Sequence, residues 1–596
     1  MTRTLFCLIL LLIFAPPCAA QSEGSRAADA EAAALSMRRA ALVSDLRALE
    51  ADAKDLLKPL DSAAAKAEIA AAAWTLEREW AKQLLRDALE LSFPEKVDRA
   101  RLRARKMGDP LQPPTPEDMA RNIVRSRVVN VAAPDREFSL ELAGVTAREL
   151  GGEQEVMQYA RLASDAVREG RLEEAGGYIM KGADADPTFI NTGVAITGMA
   201  ERDRAAADRL IVQYITRLRA LPVAVFAQGG GLIRTTLSLR SALLPDRFDY
   251  FRDAGAPTAP AAGREAFRAY FSFVFDLYTA LEREKPGGSF PGAQMELTMM
   301  WKELSRYAPE MLGPFQQLEA ASRRPGTPPP VLPPPDPEDS SRRRHEEQVK
   351  LALKTKDQSN LDALVNRSLS RKEFDDARKM IDAVEDRGRR EQLTEEADCR
   401  ESIALAEAGD TARAEKLARR LTTPNAILRA FPPLVRRLAA GKETSSASLL
   451  ALEGVRRLAQ SAESGAADPT YVPAALAQFA GSLRVFKQSR ALLAMSELAL
   501  AVLPAGEQTA LDALDELVRV ANKAPITSES GNPNFNSEVF AKLSRADPGR
   551  ARAAASRLED RLQRIAALAS VLRAEAQAVE ERAKALEPAP GQTPKP

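Results

Sequence analysis

The sequence has few of the residues on which enzyme active sites and metal centres usually depend. Among 596 residues there is one histidine, His345, and there are three cysteines. Cys7 and Cys18 lie near the N-terminus, which leaves Cys399 as the only cysteine of the later chain. Histidine is a common general base and zinc ligand, and zinc sites of the Cys/His type need about four such ligands. The composition therefore predicts no catalytic residue, no metal ligand and no cofactor-binding residue.

Aromatic side chains and net charge are also scarce. Aromatic residues make up 5% of the chain, and charged residues make up 28% with a formal net charge of +1. Binding to nucleic acid requires a surplus of Lys and Arg on one face, so we expect no nucleic-acid partner. After residue 20 no run reaches the ~18 apolar residues of a membrane span, so we expect no transmembrane segment.

Residues 1–20 have the features of an export signal. Arg3 precedes an apolar run at residues 5–14, and small residues at 18–20 come before the expected cleavage point. The sequence therefore predicts an exported protein, periplasmic or extracellular. Lipid attachment at Cys18 is an alternative, but the two prolines directly before it fit that processing signal poorly. With one cysteine remaining, we expect no internal disulfide.

The segment EGRLEEAGGYIMKGADADP, residues 169–187, has the spacing of a helix-turn-helix repeat. Gly170 stands at the expected turn between two helices. Four positions follow at fixed intervals: Ala175, Ile179, Gly182 and Pro187. Small residues allow helices to approach closely where they cross, and proline cannot continue a helix. We interpret the segment as one unit of an array.

The same spacing recurs along the chain at intervals near 34 residues. The recurring positions are Ala207, Ile211 and Tyr214; Ala377, Ile381 and Val384; Ala414, Ala418 and Leu421; Ala447, Ala451 and Gly454; and Ala513, Leu517 and Val520. This period resembles that of the tetratricopeptide repeat, in which one unit cannot bury its apolar face alone. We therefore predict an all-α fold, an α-solenoid of stacked antiparallel helix pairs.

Composition divides the chain into five segments. We predict a signal peptide at 1–20, an N-terminal helical-repeat region at 22–322, a Pro-rich linker at 323–345, a C-terminal helical-repeat region at 346–586 and a disordered tail at 587–596. Proline-rich segments form semi-rigid extended connectors. We therefore expect the two halves to fold independently and proteases to cut first between Pro325 and Arg344.

One dipeptide raises an enzymatic alternative. Some exported cell-wall lytic enzymes combine a helical superhelix with a Glu-Ser catalytic motif, and Glu401-Ser402 occurs here. The glycine-rich segment that should follow such a glutamate is missing. Paired carboxylates for glycoside cleavage cannot be chosen among 83 acids without geometry. We therefore prefer the hypothesis of a non-catalytic protein. A carboxylate-dependent peptidoglycan hydrolase is the alternative hypothesis.

Two further segments allow a binding interpretation. The glycines at 229–231 could cradle a phosphate, but the lysine and hydroxyl that end a P-loop are absent, which favours a turn. The segment 264–284, REAFRAYFSFVFDLYTALERE, carries apolar residues on two helical stripes. It is either a hydrophobic groove for a partner or, preferably, a helix buried in the core.

Four sequence segments together resemble those of a class of secreted bacterial helical-repeat proteins. They are AAAWTLEREWAKQLLRDALEL, RLASDAVREGRLEEAGGYI, ALAEAGDTARAEKLARRL and RALLAMSELALAVLPAGEQTALDALDELVRVANKAP. The resemblance implies the fold and the compartment, and the class has no agreed activity. We expect a protein- or peptide-binding scaffold in the cell envelope, because stacked helix pairs form long grooves.

Overall fold

The computed structural model describes residues 18–95, 116–150, 152–185, 191–227, 231–244, 261–284, 303–322, 337–355, 358–463, 489–523 and 535–586. Secondary structure in these ranges is helical, and no strand occurs among them. Most of the predicted signal peptide, residues 323–336 of the predicted linker, and the predicted tail lie outside the described residues.

The helices are numbered in chain order. They are α1 (Cys18–Lys54), α2 (Pro59–Ala73), α3 (Arg78–Leu91), α4 (Pro116–Ala132), α5 (Arg136–Leu150), α6 (Gly152–Arg168), α7 (Leu172–Ala185), α8 (Asn191–Arg202), α9 (Arg204–Arg219), α10 (Ala224–Ala227), α11 (Gly231–Leu243), α12 (Arg264–Glu284), α13 (Leu312–Ser322), α14 (Pro337–Thr355), α15 (Gln358–Ser370), α16 (Phe374–Asp382), α17 (Arg387–Ala408), α18 (Thr411–Ala418), α19 (Pro424–Ala440), α20 (Thr444–Glu463), α21 (Ser489–Val502), α22 (Glu507–Lys523), α23 (Glu538–Ser544), α24 (Pro548–Ser556) and α25 (Arg561–Leu586). A 3₁₀ turn at Pro309–Met311 precedes α13.

Capping side chains fix where several helices begin. Asp203, Asp386, Asp410, Thr423 and Asp547 each accept a hydrogen bond from the backbone N–H three residues later. Such a side chain satisfies one of the free N–H groups at a helix start and contributes about 1 kcal/mol. Short polar segments in the sequence are therefore sufficient to separate one helix from the next.

The chain forms two compact units. One contains residues 1–92, 115–131 and 365–596, and the other contains residues 93–114 and 132–364. In the first, α17, α19, α21, α23 and α25 pack successively, and α20, α22 and α24 form a second row. In the second, the corresponding rows are α6, α8 and α11, and α7, α9 and α12. Each unit thus has the two-row stacking of an α-solenoid, so the all-α prediction is confirmed.

The repeated positions of the sequence form the apolar contact between neighbouring helices. Ala175, Ala207, Ala377, Ala414 and Ala513 are fully buried. The positions four and seven residues after them are buried as well. The turn glycine is also as predicted, because Gly170 has a φ of +79°, in the left-handed region that favours glycine. Periodicity in the sequence therefore identified the packing face of the helices.

Ion pairs link successive repeats along the same interfaces. Several join residues 33 to 35 positions apart, with N···O distances of 2.6–3.2 Å: Arg217 with Asp184, Arg429 with Glu396, Arg419 with Glu453, Lys372 with Glu407 and Arg550 with Asp515. This separation is close to the predicted repeat period. The near-zero net charge therefore corresponds in part to charges that pair between one repeat and the next.

The first and last of the described helices pack together. Helix α25 packs against both α1 and α2, and all three belong to the same unit. This grouping differs from the expected division into regions 22–322 and 346–586. Its physical reason is that α1 and α2 each carry an apolar face that needs a partner, and the last helix provides it. Periodicity shows which face is buried but not which helix covers it.

One further boundary differs from expectation. Helix α14 begins at Pro337, so residues 337–345 of the predicted linker are helical. Proline is well tolerated at the first position of a helix, where its missing N–H would have no partner. Pro59 has the same position in α2, so that α1 ends at Lys54 and residues 55–58 separate the two helices.

We expect Gly193→Ala to destabilise the unit that contains α8 and α11. A Cβ at Gly193 would lie 2.3 Å from the backbone oxygen of Ser238, so α8 and α11 would have to move apart. Overpacking of this kind costs about 1–3 kcal/mol, which exceeds the gain in helix propensity of about 1 kcal/mol. Thermal unfolding followed by circular dichroism measures the effect. Gly144→Ala is the control, since nothing lies within 4 Å of that position, and should be neutral or stabilising.

We also expect the chain to stay assembled after a cut in the segment 326–334, where a protease site can be inserted. The fragment that carries α1 and α2 and the fragment that carries α25 should co-elute in size-exclusion chromatography, because these helices share one core. Leu46→Asp places a charge at a fully buried position of α1 and should weaken the association. Separate elution of the unmodified cut fragments would contradict the observed packing.

Candidate functional site

An open cleft of about 650 Å³ lies at the start of α7, in the segment first identified as a repeat unit. Its lining residues are Arg136, Gly170, Arg171, Leu172, Glu173, Glu174, Gly177, Tyr178 and Lys181. The turn at Gly170 directs the chain into α7, and the start of α5 contributes Arg136. All of these residues belong to the unit that contains residues 132–364.

Glu174 is the centre of a hydrogen-bond network in the cleft. Its carboxylate is 3.1 Å from Arg136 Nε, and it also binds Arg171. The Tyr178 hydroxyl donates to Glu174 Oε1 at 2.9 Å. Burial opposes ionisation of Glu174, but the hydrogen bonds from Arg171 and Tyr178 outweigh it and lower the pKa of its carboxyl. The carboxylate is therefore a fixed anion that orients two arginines rather than a proton donor.

Tyr178, which lines the cleft, is held by an aromatic neighbour and by Arg136. The Tyr178 and Tyr159 rings stack with centroids 6.5 Å apart, and the Arg136 guanidinium lies 5.8 Å from the Tyr178 centroid. Arginine over an aromatic face contributes about 0.5–1 kcal/mol at an exposed site. Burial and the neighbouring Glu174 raise the pKa of Tyr178, so its hydroxyl stays protonated at neutral pH. These contacts hold Arg136 in place while 61% of its side chain remains exposed.

Gly177 leaves an opening on the exposed face of α7. No atom lies within 4 Å of the position that its Cβ would occupy. A glycine inside a helix costs about 1 kcal/mol relative to alanine, so this position lowers helix stability without a packing reason. The exposed Lys181 lies four residues later, on the same helical face. The cleft therefore presents exposed backbone between charged groups, an arrangement suited to a polar extended ligand.

The Glu401-Ser402 dipeptide lies elsewhere, in the interior of α17. The Ser402 hydroxyl is fully buried and donates to the Ala414 carbonyl at 2.8 Å, joining α17 to α18. The Glu401 carboxylate is 2.6 Å from Arg378 Nη2, and the same nitrogen binds Asp398 at 2.6 Å. Both side chains thus take part in packing between helices.

The other residues singled out from the sequence are also buried. Cys399 is fully buried on α17, with its Sγ 3.7 Å from the Ala426 carbonyl oxygen. His345 is 4% exposed and lies on α14. Residues 228–230 lie outside the described residues, and α11 begins at Gly231.

The aromatic segment forms the buried helix α12. Both predicted stripes are covered: Phe267, Phe271 and Val274 on one side, and Tyr270, Phe273 and Leu277 on the other. Phe267 stacks on Tyr307 with ring centroids 4.2 Å apart. The interpretation as core packing is confirmed, and the described residues of this helix offer no open groove.

The sequence analysis did not identify the cleft as a site. It assigned Ala175, Ile179 and Gly182 to packing, which the structure confirms, but Arg136 lies in another helix and has no motif around it. The doublet Gly176-Gly177 was the available signal, because glycine is unfavourable inside a helix. A Cβ added at Gly176 would lie 3.8 Å from Leu210 Cδ1 of α9. A Cβ added at Gly177 would have no atom within 4 Å. Only the structure separates the two roles.

The described residues contain neither a membrane-spanning helix nor a cluster of metal ligands. None of the described helices combines the length and the apolar character needed to cross a membrane. In the same ranges, no group of three or more His, Cys, Asp and Glu side chains is arranged to hold a metal ion.

We expect Cys399 to react with thiol reagents only when the chain unfolds. Burial raises the pKa of its thiol to about 12, so at pH 8 roughly one molecule in ten thousand carries the reactive thiolate. The rate of labelling by a disulfide reagent should therefore follow the rate of unfolding. An added surface cysteine, Met37→Cys, is the control and should react at once. Rapid reaction of Cys399 in the folded protein would contradict its placement.

No protein-family model matches the chain. No curated protein matches it either. Among solved structures, the chain is similar to one described as a "circular tandem repeat protein with novel repeat topology and enhanced subunit contact surfaces". That alignment has 13% sequence identity and a TM-score of 0.17, and it covers 90% of this chain and 99% of the other. At this TM-score the similarity carries no inference about the present chain.

Proposed function

We propose that this chain is an exported, non-catalytic scaffold of the cell envelope that binds a protein or peptide in the cleft at the start of α7. The observation that carries the proposal is the arrangement around Glu174, which fixes Arg136 and Arg171 beside the open surface at Gly177. Export rests on the signal-like segment at residues 1–20.

The chemistry of the cleft favours an extended polar segment as its ligand. The cleft is open, and its charged groups have both signs, which suits a peptide with mixed charges better than a compact anion. The exposed guanidinium of Arg136 can donate in a planar fork to a carboxylate or a backbone carbonyl. The half-buried Leu172 adds apolar surface for a side chain of such a peptide.

The hydrolase alternative receives no support from the position of its candidate residue. A general acid for glycoside cleavage needs a raised pKa and access to the glycosidic oxygen. Glu401 instead lies within 4 Å of two arginines, Arg378 and Arg413, and only 16% of its side chain is exposed. Peptidoglycan zymography with wild-type protein and with Glu401→Gln tests this alternative, which requires activity that the variant loses.

A peptide display library selected on the wild-type protein tests the proposed function. We expect enriched peptides to lose about tenfold or more in affinity for Gly177→Leu, because the leucine side chain fills the opening of the cleft. The measurement is peptide affinity by fluorescence anisotropy. The substitution improves helix propensity, so loss of binding would not result from unfolding.

Gly144→Leu is the matched control. Gly144 is also an exposed helical glycine with no atom within 4 Å of its would-be Cβ, but it lies outside the cleft. Peptide affinity should be unchanged in this variant. A library that yields no enriched peptide, or peptides that bind both variants equally, would refute the cleft as the binding site.

A further inference from the structure

The first and last of the described helices, α1 and α25, form one antiparallel pair. Arg38 and Arg39, earlier in α1, pair with Glu575 and Glu580, whereas Asp52 and Asp55, at and just after its end, pair with Arg561 at the start of α25. A further ion pair joins Asp45 to Arg552, and the five N···O distances are 2.9–3.6 Å. Arg552 lies on α24, next to the start of α25. Two helices from opposite chain ends therefore make the same kind of pair that neighbouring helices make within the array.

Buried apolar contacts of α1 lie in its second half, whereas ion pairs occur along both halves. Leu42, Leu46, Leu49 and Ala53 are buried at spacings of four, three and four residues, which places them on one helical face. Residues 30–41 contain no buried side chain. That part of α1 is held through ion pairs such as Arg38 with Glu575, and the Arg38 side chain is 57% exposed. Exposed ion pairs contribute little and weaken as salt is added.

A short connection joins α1 to the rest of the chain. Only residues 55–58 separate it from α2, and Leu57 in this connection is 99% exposed. The opposite end of α1 leads towards the chain terminus. Helix α1 can therefore leave its site by rotation about residues 55–58, without displacing another helix through the chain.

We propose that the surface of α25 and α2 that holds α1 also accepts α1 of a second copy of this chain. Two copies then exchange their first helices and form a dimer. The second copy is the occupant that the surface fits, because the exchanged helix brings the same leucines and the same charges to the same register. Domain swapping of this kind needs no new contact.

Binding of α1 from a second copy competes with binding of α1 to its own chain. A tethered helix has an effective concentration in the millimolar range, so the closed monomer predominates in dilute protein. Salt at about 1 M shortens the screening length to about 3 Å and weakens the exposed ion pairs between α1 and α25. High salt should therefore favour the separation of α1 from α25. When concentrated protein is returned from high to low salt, dimers should form.

Two singly labelled full-length chains, both with Cys7→Ser and Cys18→Ser, test the proposal. Met37→Cys carries a fluorescent donor on α1, and Glu581→Cys carries an acceptor on α25. Neither residue forms one of the ion pairs described above between α1 and the helices α24 and α25. Paired helices lie about 8–10 Å apart, so a swapped dimer places donor and acceptor within transfer range. Cys399 stays unlabelled because it is buried, which labelling of the chain with only Cys7→Ser and Cys18→Ser verifies.

An equimolar mixture of the two chains is incubated in 1 M NaCl at high protein concentration and returned to low salt. It is then analysed by size-exclusion chromatography with light scattering. We expect a dimer peak with energy transfer, and monomers without transfer in a mixture kept at low salt. A sample that contains only monomers, or dimers without energy transfer, would overturn the proposal.

Arg561→Glu distinguishes helix exchange from an unrelated dimer. It removes the pairs with Asp52 and Asp55, so it should raise the rate at which energy transfer appears severalfold. The final dimer fraction should not change, because monomer and swapped dimer lose the same contacts. Arg387→Glu, at an exposed position of α17 paired only with Glu391, is the control and should leave the rate unchanged. Equal rates in the two variants would contradict the proposal.

Discussion

The close contact between neighbouring helices, made by small residues on each, is the interaction on which the rest of the structure depends. Alanines at the repeated positions, such as Ala175 and Ala414, are fully buried and let the next helix approach. Each helix pair is too thin to exclude water from its own apolar face, so stability comes from stacking. A chain with few aromatic residues and one buried thiol can remain folded in this way, because the contacts add up along the array rather than in one core.

Charge follows the same repeat as the apolar contacts. Partners such as Arg429 and Glu396 lie 33 residues apart and join one repeat to the next. Single exposed pairs contribute little, but pairing between repeats also specifies which surfaces meet. The contact between α1 and α25 has the same two components, buried apolar side chains and ion pairs. The kinds of contact that join neighbouring helices in the array therefore also join these two helices.

The candidate cleft shows where sequence reasoning reaches its limit. Periodicity placed Gly170 in a turn and Ala175 and Ile179 in the core, and the structure agrees. It could not place Arg136 beside Tyr178, since contacts between separate helices have no local signature. The Glu401-Ser402 dipeptide shows the opposite error, in which a local match suggests chemistry but burial and ion pairing assign both residues to packing.

The sequence by itself determined the helical class, the repeat period and the buried face of each helix, because these follow from local spacing of apolar and small residues. Only the tertiary structure decided that α25 packs on α1 and α2, and that Glu174 holds Arg136 and Arg171 together. Those choices depend on which of many similar apolar faces meet, and the energies of alternative pairings between repeats are too alike for the pattern alone to separate them.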